Sequence, residues 1–318
     1  MNTLAVKTEI VQCKPRFDEL LSRFIQYIDV SPSSVKSYIS GVRKFIRYLS
    51  VNGINTPTRE TVLTYKKELS EKYSANSTAL FLSSIRRFFA WCESEGLYGN
   101  IAKDVKSPKL SHDHKRDAFS AEELKSIIGA IDRNSLSGKR DYAIFCLVSA
   151  TGLRTVEVMR ANVGDIHRVA GATVLDIQGK GHASKDAFVK LSGHVLTAIR
   201  EYLSARGAVS DDEPLFASLS RRNYGKRLTT RSVSQVCKNA MLEAGFDSHR
   251  LTAHSLRHSA VTLALLAGIS IQEVSMFARH SSISVTQVYA HDISRLQSQC
   301  ESAISTAIFG SLGGDEEC

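Results

Sequence analysis

No apolar run in this chain of 318 residues approaches the roughly 18–20 residues that a membrane-spanning helix needs. The longest, AVTLALLAGI at 260–269, has the length of a buried core helix. The first residues, MNTLAVKTEIVQ, lack a basic segment followed by an apolar one. No secretory signal is read there, and the cytoplasm is the expected compartment. The six cysteines, Cys13, Cys92, Cys146, Cys237, Cys300 and Cys318, are scattered, and none forms a CxxC pair. That spacing argues against zinc ribbons and disulfide frameworks and for reduced thiols. There is no GxxxxGK[ST] segment, and so no phosphate-cradling loop for ATP. No internal repeat and no low-complexity tract occurs.

What is present is the composition of a globular protein. Hydrophobic residues make up 43% and mean hydropathy is −0.12, which places the chain outside the disordered and membrane classes. The length allows two domains, each with its own core. Net charge is +9 and the pI about 9.2, a balance that suits a polyanionic partner. The surplus is concentrated early. Residues 1–110 carry 17 Lys and Arg against 10 Asp and Glu, and the remainder carries 24 against 22.

Helical periodicity fills the first hundred residues. In SPSSVKSYISGVRKFIRYLSVNG, Val35, Tyr38, Ile39, Val42, Phe45, Ile46 and Leu49 recur at steps of three and four. Ser33 or Ser34 is the expected N-cap and Gly53 the C-cap. TPTRETVLTYKKELSEKY and SANSTALFLSSIRRFFAWCESEGLYG read as two further helices. Arg43, Lys44 and Arg47 lie off the first apolar stripe, and Arg86 and Arg87 lie in the third helix. These are the expected contacts for a polyanion, with plain solvated charge as the alternative.

The chain divides into an N-terminal tail (1–14), a helical module (15–105), a polar linker (106–118), a second domain (119–292), and a C-terminal helix with an acidic tail (293–318). His112 and His114 in the linker have the look of a metal pair, but nothing nearby completes a site. In the second domain, Ser120 and Glu123 have capping-box spacing. KRDYAIFCLVSATGLRTVEVMRANV reads as two helices broken at Thr151-Gly152. Val174–Ile177 and Ala187–Leu191 read as a hairpin around a turn rich in Gly, Lys and His. Helices then resume to the end, so the fold class is mainly α with a small β-sheet.

The segment LTAHSLRHS places His254, Arg257 and His258 at i, i+3 and i+4, one face of a helix. In a zinc helix, HExxH supplies a carboxylate where this chain has Arg257, whose charge would repel a metal. A pocket for an oxyanion fits better, because arginine offers a rigid fork of donors and histidine a further donor. Elsewhere TGLRTVEV carries Arg154 with Glu157 one turn on, QGKG carries Lys180, ARHSS carries His280, and VTQVYAH carries Tyr289 nine residues later.

Taken in order, Arg154, Lys180, His254, Arg257, His280 and Tyr289 resemble the active-site set of the tyrosine recombinases, the phage-integrase family. In that family the first arginine follows Gly-Leu, the lysine occupies a β-turn, and the second box reads His-x-Leu-Arg-His, all as here. The third box is usually Leu-Gly-His; here Arg279 replaces the glycine and His280 is kept. The common Asn-Pro after the helical module reads Asn100-Ile101. The resemblance implies a helical, SAM-like core-binding domain followed by a mixed α/β catalytic domain. It implies that Tyr289 attacks the scissile phosphate of DNA, giving a 3′-phosphotyrosyl intermediate and a free 5′-hydroxyl. Arg154 and Arg257 would neutralise the phosphate oxygens, His254 and His280 would donate hydrogen bonds, and His254 would assist proton transfer from Tyr289. Lys180 would protonate the leaving oxygen, with Lys185 a second candidate. Glu157 and His258 would support the site. No metal and no ATP are implied.

The same resemblance implies double-stranded DNA with inverted-repeat core sites as partner, four protomers exchanging strands through a Holliday junction, and a possible accessory directionality protein. Ile293, Leu296, Cys300, Ala303, Ile304, Ala307 and Ile308 form the apolar stripe of the terminal helix. That helix could pack on its own domain; the resemblance favours docking on a neighbouring protomer. Little sequence precedes the helical module, which suggests a Xer-type or transposon-type integrase. Two rivals remain: a type IB topoisomerase, which shares the chemistry but relaxes supercoils without a specific site pair, and a non-catalytic DNA-binding regulator with the same fold.

Overall fold

The computed structural model describes residues 14–109, 118–179, 182, 184–296 and 298–310. Residues 1–13, most of the expected linker with His112 and His114, Lys180, and the acidic terminus lie outside the described residues. The chain forms two compact units that divide within residues 110–117.

The first unit contains α1 (Lys14–Tyr27), α2 (Pro32–Val51), α3 (Arg59–Lys72) and α4 (Ala75–Ser94). The expected start of α2 shifts. Ser31, not Ser33 or Ser34, is the N-cap, and its Oγ accepts from the Ser34 N–H. Pro32 explains the shift, since its fixed φ suits the first helical position and its missing N–H is not needed there. Gly53 follows the cap residue Asn52 at φ 63. The apolar stripes meet in a core rich in aromatics, including Phe24, Phe45, Phe88, Phe89 and Trp91. Phe24 and Phe88 pack edge to face with centroids 5.3 Å apart, the arrangement ring quadrupoles favour.

The second unit holds α5 (Ala121–Ala130), α6 (Leu136–Thr151), α7 (Thr155–Arg160), β1 (Ile166–Val169), β2 (Ala172–Ile177), β3 (Ala187–Lys190), α8 (Gly193–Arg206), α9 (Thr230–Glu243), α10 (Ala253–Leu266), α11 (Ile271–Ala278), α12 (Ile283–Leu296) and α13 (Cys300–Phe309). Helix α6 buries Ala143, Ile144, Phe145, Leu147 and Val148, and α8, α9 and α10 pack against it. A helix apolar on so many sides belongs at the centre of a core. The expected hairpin is present as β2 and β3, with Leu175 opposite Val189. A third strand, β1, precedes it, so the sheet is antiparallel in the order β1-β2-β3. The β1–β2 turn is Ala170-Gly171, with φ 48 and 83. Positive φ at both positions marks a two-residue hairpin turn, which is usually signalled by Asn-Gly or Asp-Gly rather than Ala-Gly. β1 is also mostly exposed, so its sequence carries no buried alternation to betray it.

The terminal helix differs from expectation. One helix, α12, runs through the expected boundary at 292 to Leu296, and a separate helix, α13, starts at Cys300. Ser298 lies between them, and its Oγ accepts from the Cys300 N–H at 3.2 Å. Such a local bond competes with continuation of a helix. Of the cysteines, Cys92 and Cys237 are buried, Cys146 half-buried and Cys300 exposed, and all four are free thiols.

The crossing of α2 and α4 rests on Gly41. A Cβ there would lie 2.4 Å from Ser84 Oγ and 2.6 Å from Ser84 Cβ. Alanine would gain about 1 kcal/mol of helix propensity, but overpacking costs about 1–3 kcal/mol. The steric term wins because Ser84 Cβ is fixed to the α4 backbone. Gly41→Ala is therefore expected to lower the Tm of the helical unit in thermal melts followed by circular dichroism, and adding Ser84→Gly to recover part of the loss. A single variant that melts at or above the wild-type temperature would contradict this close approach.

Candidate active site

Helix α6 ends where Gly152 takes φ 59, ψ 24, the left-handed cap that glycine adopts without strain. Two residues later Arg154 is the N-cap of α7. Its N–H donates to Glu157 Oε2 at 2.8 Å, and its Nη1 donates to Glu157 Oε1 at 3.0 Å. The Glu157 side chain is fully buried, so its charge is balanced by these bonds rather than by water.

Helix α10 carries His254, Arg257 and His258. His254 is exposed, whereas Arg257 and His258 are buried. Arg257 donates from Nη1 to the Gly152 carbonyl at 2.6 Å and from Nη2 to the Ala278 carbonyl. It thus joins the turn after α6 to the turn after α11. Burial, with Arg154 and Arg279 nearby, lowers the Arg257 pKa to about 10. His258 lies 2.6 Å through Nδ1 from the Tyr289 hydroxyl. Its ring also packs at 5.2 Å from the rings of both His254 and Tyr289.

Tyr289 sits on α12 and packs on Val261, Val274 and Ala278. His280, just after α11, stacks on Tyr289 at 6.4 Å, and its Nδ1 lies 2.8 Å from the hydroxyl of fully buried Thr286. A neutral ring that accepts from Thr286 at Nδ1 carries its proton on Nε2, ready to donate to an anion. The structure brings Arg154, Arg257, His280, Tyr289, Glu157 and His258 together, with His254 at the exposed edge.

Arg279 belongs to this site and was not expected in it. Its Nη2 donates to Glu157 Oε2 at 3.1 Å, and its carbonyl accepts from Arg154 Nη2 at 3.3 Å. It stands at φ 53, ψ 50, a conformation that costs a non-glycine residue roughly 1–2 kcal/mol. The replaced glycine of the family box was the only sequence signal. Thr286 was also missed; its place three residues before Tyr289 puts both on one face of α12.

Lys180 follows β2 outside the described residues. Its alternative, Lys185, is paired with Asp165. Among the described residues no group of three or more His, Cys, Asp or Glu side chains could hold a metal ion, and no helix is long and apolar enough to cross a membrane.

The basic residues of the first unit have varied surroundings. Arg43 and Arg47 are exposed, and with Lys36 and Lys44 they line an open groove of about 430 Å³ along α2. Arg43 reaches Asp18 at 3.4 Å, while Lys44 donates to the Tyr73 hydroxyl at 2.6 Å and lies over the Tyr73 ring. Arg87 lies over Tyr38. Arg86 ties down the chain after α4 instead, donating to the Val105 carbonyl at 3.2 Å and to Ser107 Oγ at 2.9 Å.

Arg154 and Arg279 share the Glu157 carboxylate, and Arg257 lies near both of them and near Tyr289. Two family descriptions fit the chain: "Phage integrase family" over residues 117–295, and "Phage integrase, N-terminal SAM-like domain" over 21–96. The tyrosine recombinase XerC of Myxococcus xanthus is 30% identical over 283 residues, covering 85% of this chain and 92% of that protein. The tyrosine recombinase XerA of Pyrococcus furiosus is 28% identical over 274 residues, covering 85% and 88%. Among solved structures, the XerH site-specific recombinase bound to a palindromic difH substrate shares the fold with a TM-score of 0.69 at 21% identity, covering 85% of this chain and 79% of that one. The chain belongs to the phage integrase family, the tyrosine recombinases that cleave and rejoin DNA.

His280 gives the site a pH signature. Burial first, then Arg257, Arg154, Arg279 and His254, lower its pKa from 6.5 to about 4. Between those values the unfolded chain binds the proton and the folded chain does not, so stability rises with pH across the window. The contribution is complete above pH 6.5 and lost as pH falls towards 4. His280→Gln cannot titrate, and its Tm should vary less with pH in this window than that of the wild type. Parallel Tm curves for the two proteins would contradict the assignment.

Proposed function

We propose that the chain is a site-specific DNA recombinase in which Tyr289 attacks the scissile phosphate while Arg154, Arg257 and His280 bind its oxygens. The observation that carries this reading is the Tyr289 hydroxyl at 2.6 Å from His258 Nδ1, beside a pocket where positive charge exceeds negative. A phenol with an ordinary pKa near 10 is a weak nucleophile, and it gains from an adjacent base and from surrounding cations. His258, rather than the more exposed His254, takes the phenolic proton in this scheme.

The Tyr289 oxygen forms a bond to phosphorus and the bond to the 5′-oxygen breaks. The product is a 3′-phosphotyrosine and a 5′-hydroxyl, whose proton comes from Lys180. Arg154 and Arg257 stabilise the charge that builds on the non-bridging oxygens. His254 donates a hydrogen bond from the exposed edge. Glu157 orients Arg154. Because the phosphotyrosyl bond keeps the energy of the broken linkage, a second strand's 5′-hydroxyl can attack it and complete exchange without ATP. The pairing of Lys185 with Asp165 supports Lys180 as the proton donor, since it occupies the rival amine.

The helical unit (15–105) serves in this reading as the core-binding domain, with Arg43, Lys44, Arg47 and Arg87 along the DNA backbone. Arg86 is better suited to holding the chain at 105–107. Residues 106–118 serve as linker and 119–292 as catalytic domain. The partner is double-stranded DNA with inverted half-sites, held by four protomers. Helix α13 supports the link between protomers: all of its residues are exposed, with Ile304 56%, Ile308 66% and Phe309 65% open to solvent. An apolar stripe left uncovered by its own unit suits burial against a second copy.

Tyr289→Phe removes only the hydroxyl. It is expected to bind DNA as the wild type does and to form no covalent adduct on a nicked substrate that traps the intermediate. An adduct formed by the Phe variant would assign the nucleophile elsewhere.

Ile304→Glu with Ile308→Glu tests the tail, because a buried, unpaired carboxylate is costly. The double variant should keep the monomer Tm and half-site binding but lose cooperative binding to a full site in gel-shift titrations. A lowered monomer Tm with cooperativity intact would show that α13 packs on its own chain.

A further inference from the structure

Residue 279 combines three features that each disfavour arginine. It caps α11 in the left-handed region, where glycine is at ease and a residue with a Cβ is not. Its guanidinium is largely withdrawn from water beside Arg154, and burial lowers its pKa. Its Nε is buried without a hydrogen-bond partner. Costs that converge on one side chain point to a residue set by something other than folding.

Its bonds show what that is. Nη1 donates to the Phe277 carbonyl at 2.7 Å and so anchors the head group to the end of α11. Nη2 donates to Glu157 Oε2 at 3.1 Å, while the other Glu157 oxygen accepts from Arg154 Nη1 at 3.0 Å. The main-chain carbonyl of Arg279 accepts from Arg154 Nη2 at 3.3 Å. One residue thus holds Arg154 by two routes, directly through its carbonyl and indirectly through the shared carboxylate. With glycine here, Glu157 would have Arg154 as its single side-chain cation, and the pair would be close to neutral. With arginine, the carboxylate is divided between two cations, and net positive charge remains on the pocket.

We propose that Arg279 is a positioning residue for phosphoryl transfer: by sharing Glu157 with Arg154 it fixes the Arg154 guanidinium and leaves its charge available to the scissile phosphate. This rests on the reading of Tyr289 and Arg154 given above. Arg279 does the work in this chain that a bare turn leaves to Glu157 alone.

The test uses the full-length protein and a nicked duplex whose half-site the protein has selected from a randomised DNA pool. A second duplex carries a methylphosphonate at the scissile position, which removes the negative charge of the non-bridging oxygens. Arg279→Gly should form adduct on the phosphodiester about tenfold more slowly than wild type, or worse, at saturating DNA. Half-site Kd should be unchanged, and Arg279→Lys should recover part of the rate. On the methylphosphonate, where little charge needs neutralising, the gap should close to about twofold. Glycine accepts the observed backbone, so Arg279→Gly should melt no lower than wild type; that separates positioning from misfolding. A wild-type rate for Arg279→Gly on the phosphodiester overturns the proposal, and so does an equal loss on both substrates. If instead the wild type forms no adduct, or Tyr289→Phe forms one, the underlying reading fails and the proposal with it.

Discussion

Arg257 is the constraint on which the site depends. Its buried guanidinium bonds the carbonyls of Gly152 and Ala278, two turns 126 residues apart in the chain, and so sets the distance between them. Each turn then delivers a functional group: the first leads into Arg154, the second into Arg279 and His280. The cation that would meet the phosphate is also the strut that shapes the pocket. The arrangement works because guanidinium has five donors in a rigid plane, so two can hold the protein while others remain for a ligand.

The electrostatics follow from the same crowding. Burial first, and then the neighbouring guanidiniums, lower the pKa of Arg257, Arg279 and His280. In water such a group would be screened; where it is partly desolvated its field persists. Burial and the nearby guanidiniums favour neutral His280, and Thr286 Oγ1 lies 2.8 Å from its Nδ1; with Thr286 donating there, the ring keeps a donor at Nε2 without adding charge. Tyr289 enters this field from α12, with His258 against its hydroxyl.

Much of the site was legible in the sequence because it is built from short-range spacing. His254, Arg257 and His258 share a helix face through the i, i+3, i+4 rule, and Gly152 announces the break before Arg154. What was not legible depends on contacts between distant segments or on weak local signals. The bond from Arg279 to Glu157 spans 122 residues, and no periodicity encodes it. Arg86 reads in sequence as a polyanion contact or a solvated charge, but its partners lie at 105 and 107, beyond the helix. Strand β1 hid behind an Ala-Gly turn and an exposed face. The terminal stripe ran unbroken in sequence, yet the chain divides it between α12 and α13, since a serine can satisfy the backbone in other ways. Period reveals faces; it does not reveal what those faces meet.

The close approach of Gly41 to Ser84 has a consequence for how such a chain can change over time. The two positions share one volume, so neither evolves alone. A larger side chain at 41 is admissible only after 84 has shrunk, and the order of the two substitutions matters, because the intermediate with both large cannot pack. Drift at the α2–α4 crossing is thereby channelled into paired steps. Descendants of this sequence should show the two positions varying in opposition, small against large.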